Sequence, residues 1–171
     1  MGYINNIEPV SYIAGQIADS NPYSLISLPN TDTAVIYFGN AMVLDATNQG
    51  YKLPASSGDI TNRMAVNTII NRNKFYQNDA SLNPLITGNT SVSPGSEIAG
   101  LTKGYIAVVV EQAVTLGAPC FIRFTAHGAL LPGGFRIDAD VVSAAATAAV
   151  HPSWYFASAA TSGSIAIVCV Q

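Results

Sequence analysis

Short apolar runs rich in β-branched residues follow one another along this chain, separated every few to a dozen residues by Gly or Pro. The clearest is 102–111, where three consecutive valines favour a strand packed on both faces. A second run, 164–170, is of the same kind, and we expect both to be central strands. In 120–125 the side chains alternate in polarity, which predicts a half-buried strand. The pattern predicts an all-β fold: a single β-barrel or sandwich of jelly-roll-like form.

Weaker signals complete this assignment. The apolar runs 35–38 and 41–44 flank Gly39-Asn40, a spacing that predicts a tight hairpin or a bulge. Residues 64–71 favour a strand over a turn of helix. The alanine-rich stretch 140–150 is compatible with a short helix, but its β-branched members and lack of charge leave strand or loop open.

We interpret residues 1–171 as one domain, long enough for one core of ordinary size. Two segments depart from the strand pattern: an N-terminal arm at 1–14 and a long inserted loop at 71–100, both with apolar side chains scattered among polar ones. Such side chains either dock on another protein or fold back over the chain's own barrel, and we expect docking. The predicted interface residues are Tyr3, Ile4, Ile7, Tyr12, Phe75, Tyr76, Leu82 and Leu85.

Charge is scarce, with seven Lys and Arg and ten Asp and Glu making 10% of the chain, whereas 49% is hydrophobic. A soluble domain usually carries about a quarter charged residues. The longest purely apolar stretch, 105–110, is far shorter than a membrane helix of ~20 residues. A net charge of −3 argues against nucleic acid as a partner. We therefore expect a protein that works packed against other protein, as a homo-oligomer, dimer or trimer, with no membrane partner.

Few residues could carry chemistry. The only histidines are His127 and His151, and their spacing from Asp138 and Asp140 matches no standard metal site. We interpret the histidines as structural and the two carboxylates as part of a turn or strand edge. No nucleophile with a base and an orienting group can be assembled. We predict no enzyme, and neither a metal nor another cofactor.

Cys120 and Cys169 each lie in an apolar run, far apart in the sequence. Buried free thiols are the favoured interpretation, with a disulfide as the alternative. The single tryptophan, Trp154, is expected in the core or as an interface anchor.

Several motifs in order resemble the structural cement, or head decoration, protein family of tailed phages. They extend over about 12–70 and 98–171, and each is short. The motifs are GQIADSNPY at 15–23, FGNAMV at 38–43, YKLP at 51–54, GLTKGYIAV at 100–108, VTLGAP at 114–119 and WYFAS at 154–158 followed by the C-terminal strand.

The resemblance implies a small β-domain, made in the bacterial host cytoplasm, that assembles on the outer surface of an icosahedral capsid. There it would bridge neighbouring major capsid protein subunits without chemistry. Two other classes stay open: a phage tail or fibre subunit, which should show sequence repeats, and a small ligand-binding β-barrel, which should fold as a monomer around a cavity. Neighbouring genes for a major capsid protein, portal or protease would favour the first class.

Overall fold

A computed structural model describes residues 12–18, 22–61, 63–69, 91–142 and 145–171. In these residues the chain forms β-strands and one short 3-10 helix, Ser57–Thr61, so the predicted all-β class is confirmed. The strands are β1 (Ser24–Pro29), β2 (Ile36–Tyr37), β3 (Ala41–Asp45), β4 (Gly50–Lys52), β5 (Met64–Asn67), β6 (Ser91–Val92), β7 (Glu97–Val109), β8 (Pro119–Arg123), β9 (Phe135–Arg136), β10 (Val141–Val142), β11 (Ala145–Ala146), β12 (Ala148–Phe156) and β13 (Ile165–Val170).

Strand β7 organises the main sheet, whose order is β4-β3-β5-β7-β13-β12-β8-β9 with β1 also paired to β7. Along one edge β7 pairs first with β1 and then with β13. Along the other it pairs with β5 and then with residues 15–18, through bonds such as Gly15 N to Ala107 O at 2.8 Å. Gly104, with φ of +131°, lies where the neighbour changes from β1 to β13. The predicted central strands, 102–111 and 164–170, are confirmed.

The sheet curls until its last strand returns to β7. Val110 forms a parallel bridge with Phe135 of β9, and the Glu111 amide donates to the Phe135 carbonyl at 2.9 Å. Side chains on the inner face form the larger apolar core, which includes Ile106, Val168 and Phe156. A smaller cluster around Met42 and Tyr51 lies under β3 and β4. These two clusters hold a curved, barrel-like domain together.

The hairpin predicted around Gly39-Asn40 is wrong. Strand β2 pairs with β6, whereas β3 pairs with β4 and β5. The reason is that distant groups bind the backbone here: the Asn67 side-chain amide donates to the carbonyls of both Ile36 and Tyr37, at 3.0 Å each. The Gly39 amide in turn donates to the Asn67 carbonyl at 2.8 Å.

The helix considered for 140–150 is not formed. The described part of this stretch consists of β10, β11 and the start of β12. The Ala148 amide donates to the Ala139 carbonyl, and Ala148 pairs with Arg123 of β8. These long-range strand contacts override the helix propensity of alanine. Of the long loop predicted at 71–100, residues 91–92 belong to β6 and 97–100 to β7, whereas 70–90 lie outside the described residues.

Both cysteines are buried and free, as predicted. Trp154 lies in the larger core at 3% exposure, stacked near Phe135 with ring centroids 6.4 Å apart. It belongs to a bulge in β12, where the pairing with β8 shifts between Val150 and Tyr155. His151 in the same bulge stacks on Trp154 with centroids 4.2 Å apart and is 7% exposed. This burial lowers the pKa of His151 to about 4.

Replacing Gly100 with alanine should destabilise the fold. Gly100 lies in β7 between β1 and β5, and an added Cβ would come within 2.7 Å of the Tyr51 hydroxyl and 2.8 Å of the Ala65 Cβ. Overpacking of this kind costs about 1–3 kcal/mol in unfolding free energy. Chemical denaturation measures it, with Gly58→Ala as the control because the nearest atom there is 3.7 Å away. Equal stability of the two variants would contradict the packing described.

Stability should also fall as the pH drops from about 6.5 to about 4, because of His151. The folded state holds a neutral imidazole with a pKa of about 4, whereas the unfolded chain protonates near pH 6.5. The unfolded state therefore binds more protons across this window and gains stability as the pH falls. Chemical denaturation at pH 7, 5.5 and 4.5 measures the free energy of unfolding. This free energy should fall less with pH in His151→Gln than in the wild-type protein. His127→Gln, whose side chain is 50% exposed, should keep the loss; the same slope in all three proteins would refute this role.

Candidate functional site

An apolar groove of about 560 Å³ opens on the surface between two loops. One wall comes from residues around β2 and β4, the other from the loop that follows β8. Four large apolar side chains at or beside it are unusually exposed: Val35 at 36%, Tyr37 at 38%, Leu130 at 37% and Leu131 at 46%. The lining residues are Asp32, Ala34, Val35, Tyr37, Asn40, Leu53, Pro54, Ala55, Phe124, Thr125, Ala126, Leu131 and Pro132.

Among the described residues that line the groove, Asp32 alone is charged, and its carboxylate already has hydrogen-bond partners. Asp32 accepts a hydrogen bond from the Ala34 amide at 3.0 Å and another from the Leu53 amide at 2.8 Å. Its carboxylate therefore closes the loop instead of presenting a free charge. What the groove offers a partner is apolar surface, which on soluble proteins is typical of an interaction site.

Backbone contacts hold the loop that forms the second wall. His127 and Leu130 exchange two backbone hydrogen bonds at 3.0 Å, which close its tip. The Asn40 side chain donates to the Pro132 carbonyl at 3.3 Å. Gly133 has φ of +86°, and a Cβ there would lie 2.7 Å from the Ala41 carbonyl, so a glycine is required where the loop meets β3. The groove is therefore preformed.

A buried ion-pair network lies at the base of this loop. The Arg123 side chain is 0% exposed. It donates to both Glu111 carboxylate oxygens, at 2.8 and 2.7 Å, and to Asp140 Oδ2 at 2.6 Å. A further bond reaches the Thr147 hydroxyl at 2.9 Å, and a longer one reaches the Thr125 carbonyl at 3.4 Å. The Arg123 guanidinium thus connects β8 with the loop that follows it and with Thr147, the residue before β12.

Arg136 of β9 extends the network. It contacts Glu111 Oε2 at 3.1 Å, Asp140 Oδ2 at 2.8 Å and the Asp138 carboxylate. Hydrogen bonding from Arg123 is the main cause that lowers the pKa of Asp140 to about 2. For Asp138 burial opposes ionisation, but bonds from Gln112 and Arg136 outweigh it and lower its pKa. The stabilisation by Asp140 is thus complete above about pH 4 and lost as the pH falls through 2.

Of the eight predicted interface residues, only Tyr12 belongs to the described part of the chain. It is half-buried, and its hydroxyl donates to the Ala18 carbonyl at 3.2 Å, beside β7. The other seven lie outside the described residues. They are Tyr3, Ile4, Ile7, Phe75, Tyr76, Leu82 and Leu85.

The structure brings His127 and Asp140 together but does not make them a reactive pair. His127 Nδ1 lies 3.4 Å from Asp140 Oδ2, and that carboxylate also contacts Arg123 and Arg136. His151 lies apart from them in the β12 bulge. Among the described residues, no three His, Cys, Asp or Glu side chains meet as a metal site would require.

Sequence reasoning missed both the groove and the network. The alternation over 120–125 predicts a half-buried strand that contains Arg123, but nothing in the sequence indicates that Glu111 and Asp140 bind the arginine. The apolar pair Leu130-Leu131 before a Pro-Gly-Gly turn was the one local signal for an exposed apolar loop. The opposite wall, with Val35 and Tyr37, could be matched to it only in three dimensions.

Replacing Arg123 with methionine should destabilise the protein strongly. The change leaves the Glu111 and Asp140 carboxylates buried with only Arg136 to pair them. Breaking one side of a buried network costs about 3–5 kcal/mol, measurable by chemical denaturation at pH 7. The control is Arg63→Met, since Arg63 is exposed and should change stability little. A loss below ~1 kcal/mol for Arg123→Met would show that the network is dispensable.

Comparisons with known proteins identify the family of this chain. The sequence model of the family described as "Structural cement protein (E217 gp24/Pam3 gp6)" matches residues 4–171. A chain from the structure of the capsid of Myoviridae phage XM1 has the same fold, with a TM-score of 0.66 and 16% identity over 100% of this chain and 98% of that one. No curated protein matches. Because the family match extends over nearly the whole sequence, the chain belongs to the phage structural cement protein family.

Proposed function

We propose that this protein decorates the head of a tailed phage, where it binds the outer surface of the shell and bridges neighbouring major capsid subunits. The observation that carries the proposal is the family match over residues 4–171. The shared fold of the phage XM1 capsid chain supports it. Such a protein stabilises a shell by burying surface across subunit boundaries, typically ~1,600 Å² per stable contact.

The apolar groove is the part of the described surface that best fits a capsid contact. Its exposed Val35, Tyr37 and Leu131 offer aliphatic and aromatic anchors, and interface energy is concentrated in such anchors. The bonds that hold both walls keep these side chains in place, so little conformational entropy is lost on binding. Attachment therefore needs no rearrangement of the groove.

The N-terminal arm and the inserted loop would extend the contact to the shell or to neighbouring copies. Both are apolar at intervals on a polar background, and the one predicted contact residue that is described, Tyr12, lies against the segment next to β7. Several weak contacts on one molecule bind together more strongly than each alone. The predicted contact residues are Tyr3, Ile4, Ile7, Tyr12, Phe75, Tyr76, Leu82 and Leu85.

This role requires neither catalysis nor nucleic acid binding. Two of the seven basic residues, Arg123 and Arg136, are committed to buried ion pairs and cannot neutralise phosphates. In the described residues, no helix is long and apolar enough to cross a membrane. The partners we propose are the major capsid protein and other copies of this chain.

Leu131→Arg should weaken attachment to heads at least tenfold, because it places a charge in the apolar groove. The assay adds purified protein to heads that lack it and measures co-sedimentation and the temperature of DNA release. Leu116→Arg is the control: Leu116 is 70% exposed and lies in a turn outside the groove. Deletion of residues 1–8 and the double variant Phe75→Ala/Tyr76→Ala test the arm and the loop.

Each outcome decides a separate part of the proposal. If the wild-type protein does not bind heads, the decoration role is wrong. Normal decoration by Leu131→Arg would exclude the groove as the attachment surface. Normal decoration by the deletion and by the double variant would exclude the arm and the loop. Loss of decoration at an unchanged melting temperature would support each contact.

A further inference from the structure

The outward face of the barrel is apolar along four neighbouring strands. Cross-strand pairing aligns Tyr105 of β7, Cys169 of β13 and Tyr155 of β12 in one row. Their neighbours Ile106, Val168 and Phe156 fill the core instead. We call the outward set the barrel face; its residues are Tyr105, Ala107, Val109, Pro119, Phe121, Val150, Tyr155, Ile165, Ile167 and Cys169.

Several large side chains on the barrel face remain open to solvent, whereas Ala107 and Cys169 at its centre are buried, at 0% and 4% exposure. Val109 is 48% exposed and Val150 is 43% exposed, whereas Tyr105 and Tyr155 are partly exposed. Hydrogen bonding to the Cys169 thiol is the main cause that raises the pKa of the Tyr155 hydroxyl, and Tyr105 adds to this shift. Strands that are apolar on both faces normally have both faces covered. Among the described residues, neither apolar cluster includes a side chain of the barrel face.

No formal charge interrupts the barrel face, but opposite charges lie at its two ends. The chain has no Asp, Glu, Lys or Arg between Lys103 and Glu111 or from residue 141 to 171. Lys103, at one end of this part of β7, is exposed. At its other end the barrel face adjoins the ion-pair network. Three carboxylates and two arginines there leave one net negative charge, and the Asp138 side chain is 56% exposed. The barrel face therefore runs from a positive end to a negative end.

We propose that the barrel face is where a second copy of this chain binds, forming a two-fold symmetric dimer. A two-fold axis places identical patches against each other with the strands reversed. The Lys103 end of one copy then meets the acidic end of its partner, and the apolar centre meets an identical apolar centre. This arrangement buries no unpaired charge, which a tight interface must avoid.

The size of the barrel face fits the centre of such an interface. Six-residue strands are about 20 Å long, and four strands with the paired segment 15–18 span about 19 Å. This footprint, on the order of 400 Å², is about half of the ~800 Å² per partner in a standard interface. Polar groups around it, including Gln16, Ser158 and Gln171, supply a rim of the usual kind.

Light scattering and sedimentation of purified protein, without heads, test the dimer. We expect wild type at twice the 17.8 kDa chain mass at tens of micromolar. Val109→Arg should be folded and monomeric, with the melting temperature that wild type shows when it is diluted below its dimer dissociation constant. Ile26→Arg is the matched control because Ile26 is also 48% exposed on a strand but lies outside the barrel face. Lys103→Glu should raise the dimer dissociation constant roughly 3-fold to 30-fold, an effect that salt weakens.

A monomeric wild type, a trimer, or a dimer that survives Val109→Arg would overturn the proposal. Dissociation by Ile26→Arg alone would place the interface on another surface and overturn it too. If wild type is monomeric and Val109→Arg nevertheless fails to decorate heads, the shell and not a second copy covers the barrel face. The decoration role then stands without the dimer, so the two proposals fail independently.

Discussion

Strand β7 is hydrogen-bonded along both edges, and this pairing holds the two halves of the sheet together. β1 and β13 follow each other along one edge, and β5 and residues 15–18 along the other. Because one strand belongs to both halves of the sheet, the two apolar clusters are joined through its side chains, with Ile98 in one and Ile106 in the other. Loosening β7 would separate these halves and with them both candidate binding surfaces.

Five charged side chains of this protein form a network that holds its structure. Arg123 and Arg136 join three acidic side chains and thereby connect β8, β9 and the loops around them. The groove wall that contains Leu131 begins directly after this network. The surface of the groove has little charge, but the buried ion pairs beneath it hold its apolar loop in position.

The two apolar surfaces suit a protein with a mechanical role. The groove and the barrel face lie on different elements, so the proposed binding to a shell and the proposed binding to a second copy need not compete. A dimer attached at two grooves would bridge two sites on a lattice, and each attachment would strengthen the other. This is the physical sense in which a small domain without chemistry can reinforce a capsid.

The all-β class, the central strands at 102–111 and 164–170, the buried thiols and the family could all be predicted from the residues, because β-branched runs, apolar burial and short motifs are local properties. The sequence did not determine which strands pair. The spacing around Gly39-Asn40 favoured a local hairpin, but the Asn67 side chain, far along the chain, binds that backbone instead. The tertiary structure alone also decided that Glu111 and Asp140 surround Arg123, and that Val35 and Leu131 face one groove. Contacts between residues distant in sequence depend on the curvature of the whole sheet, which no local pattern encodes.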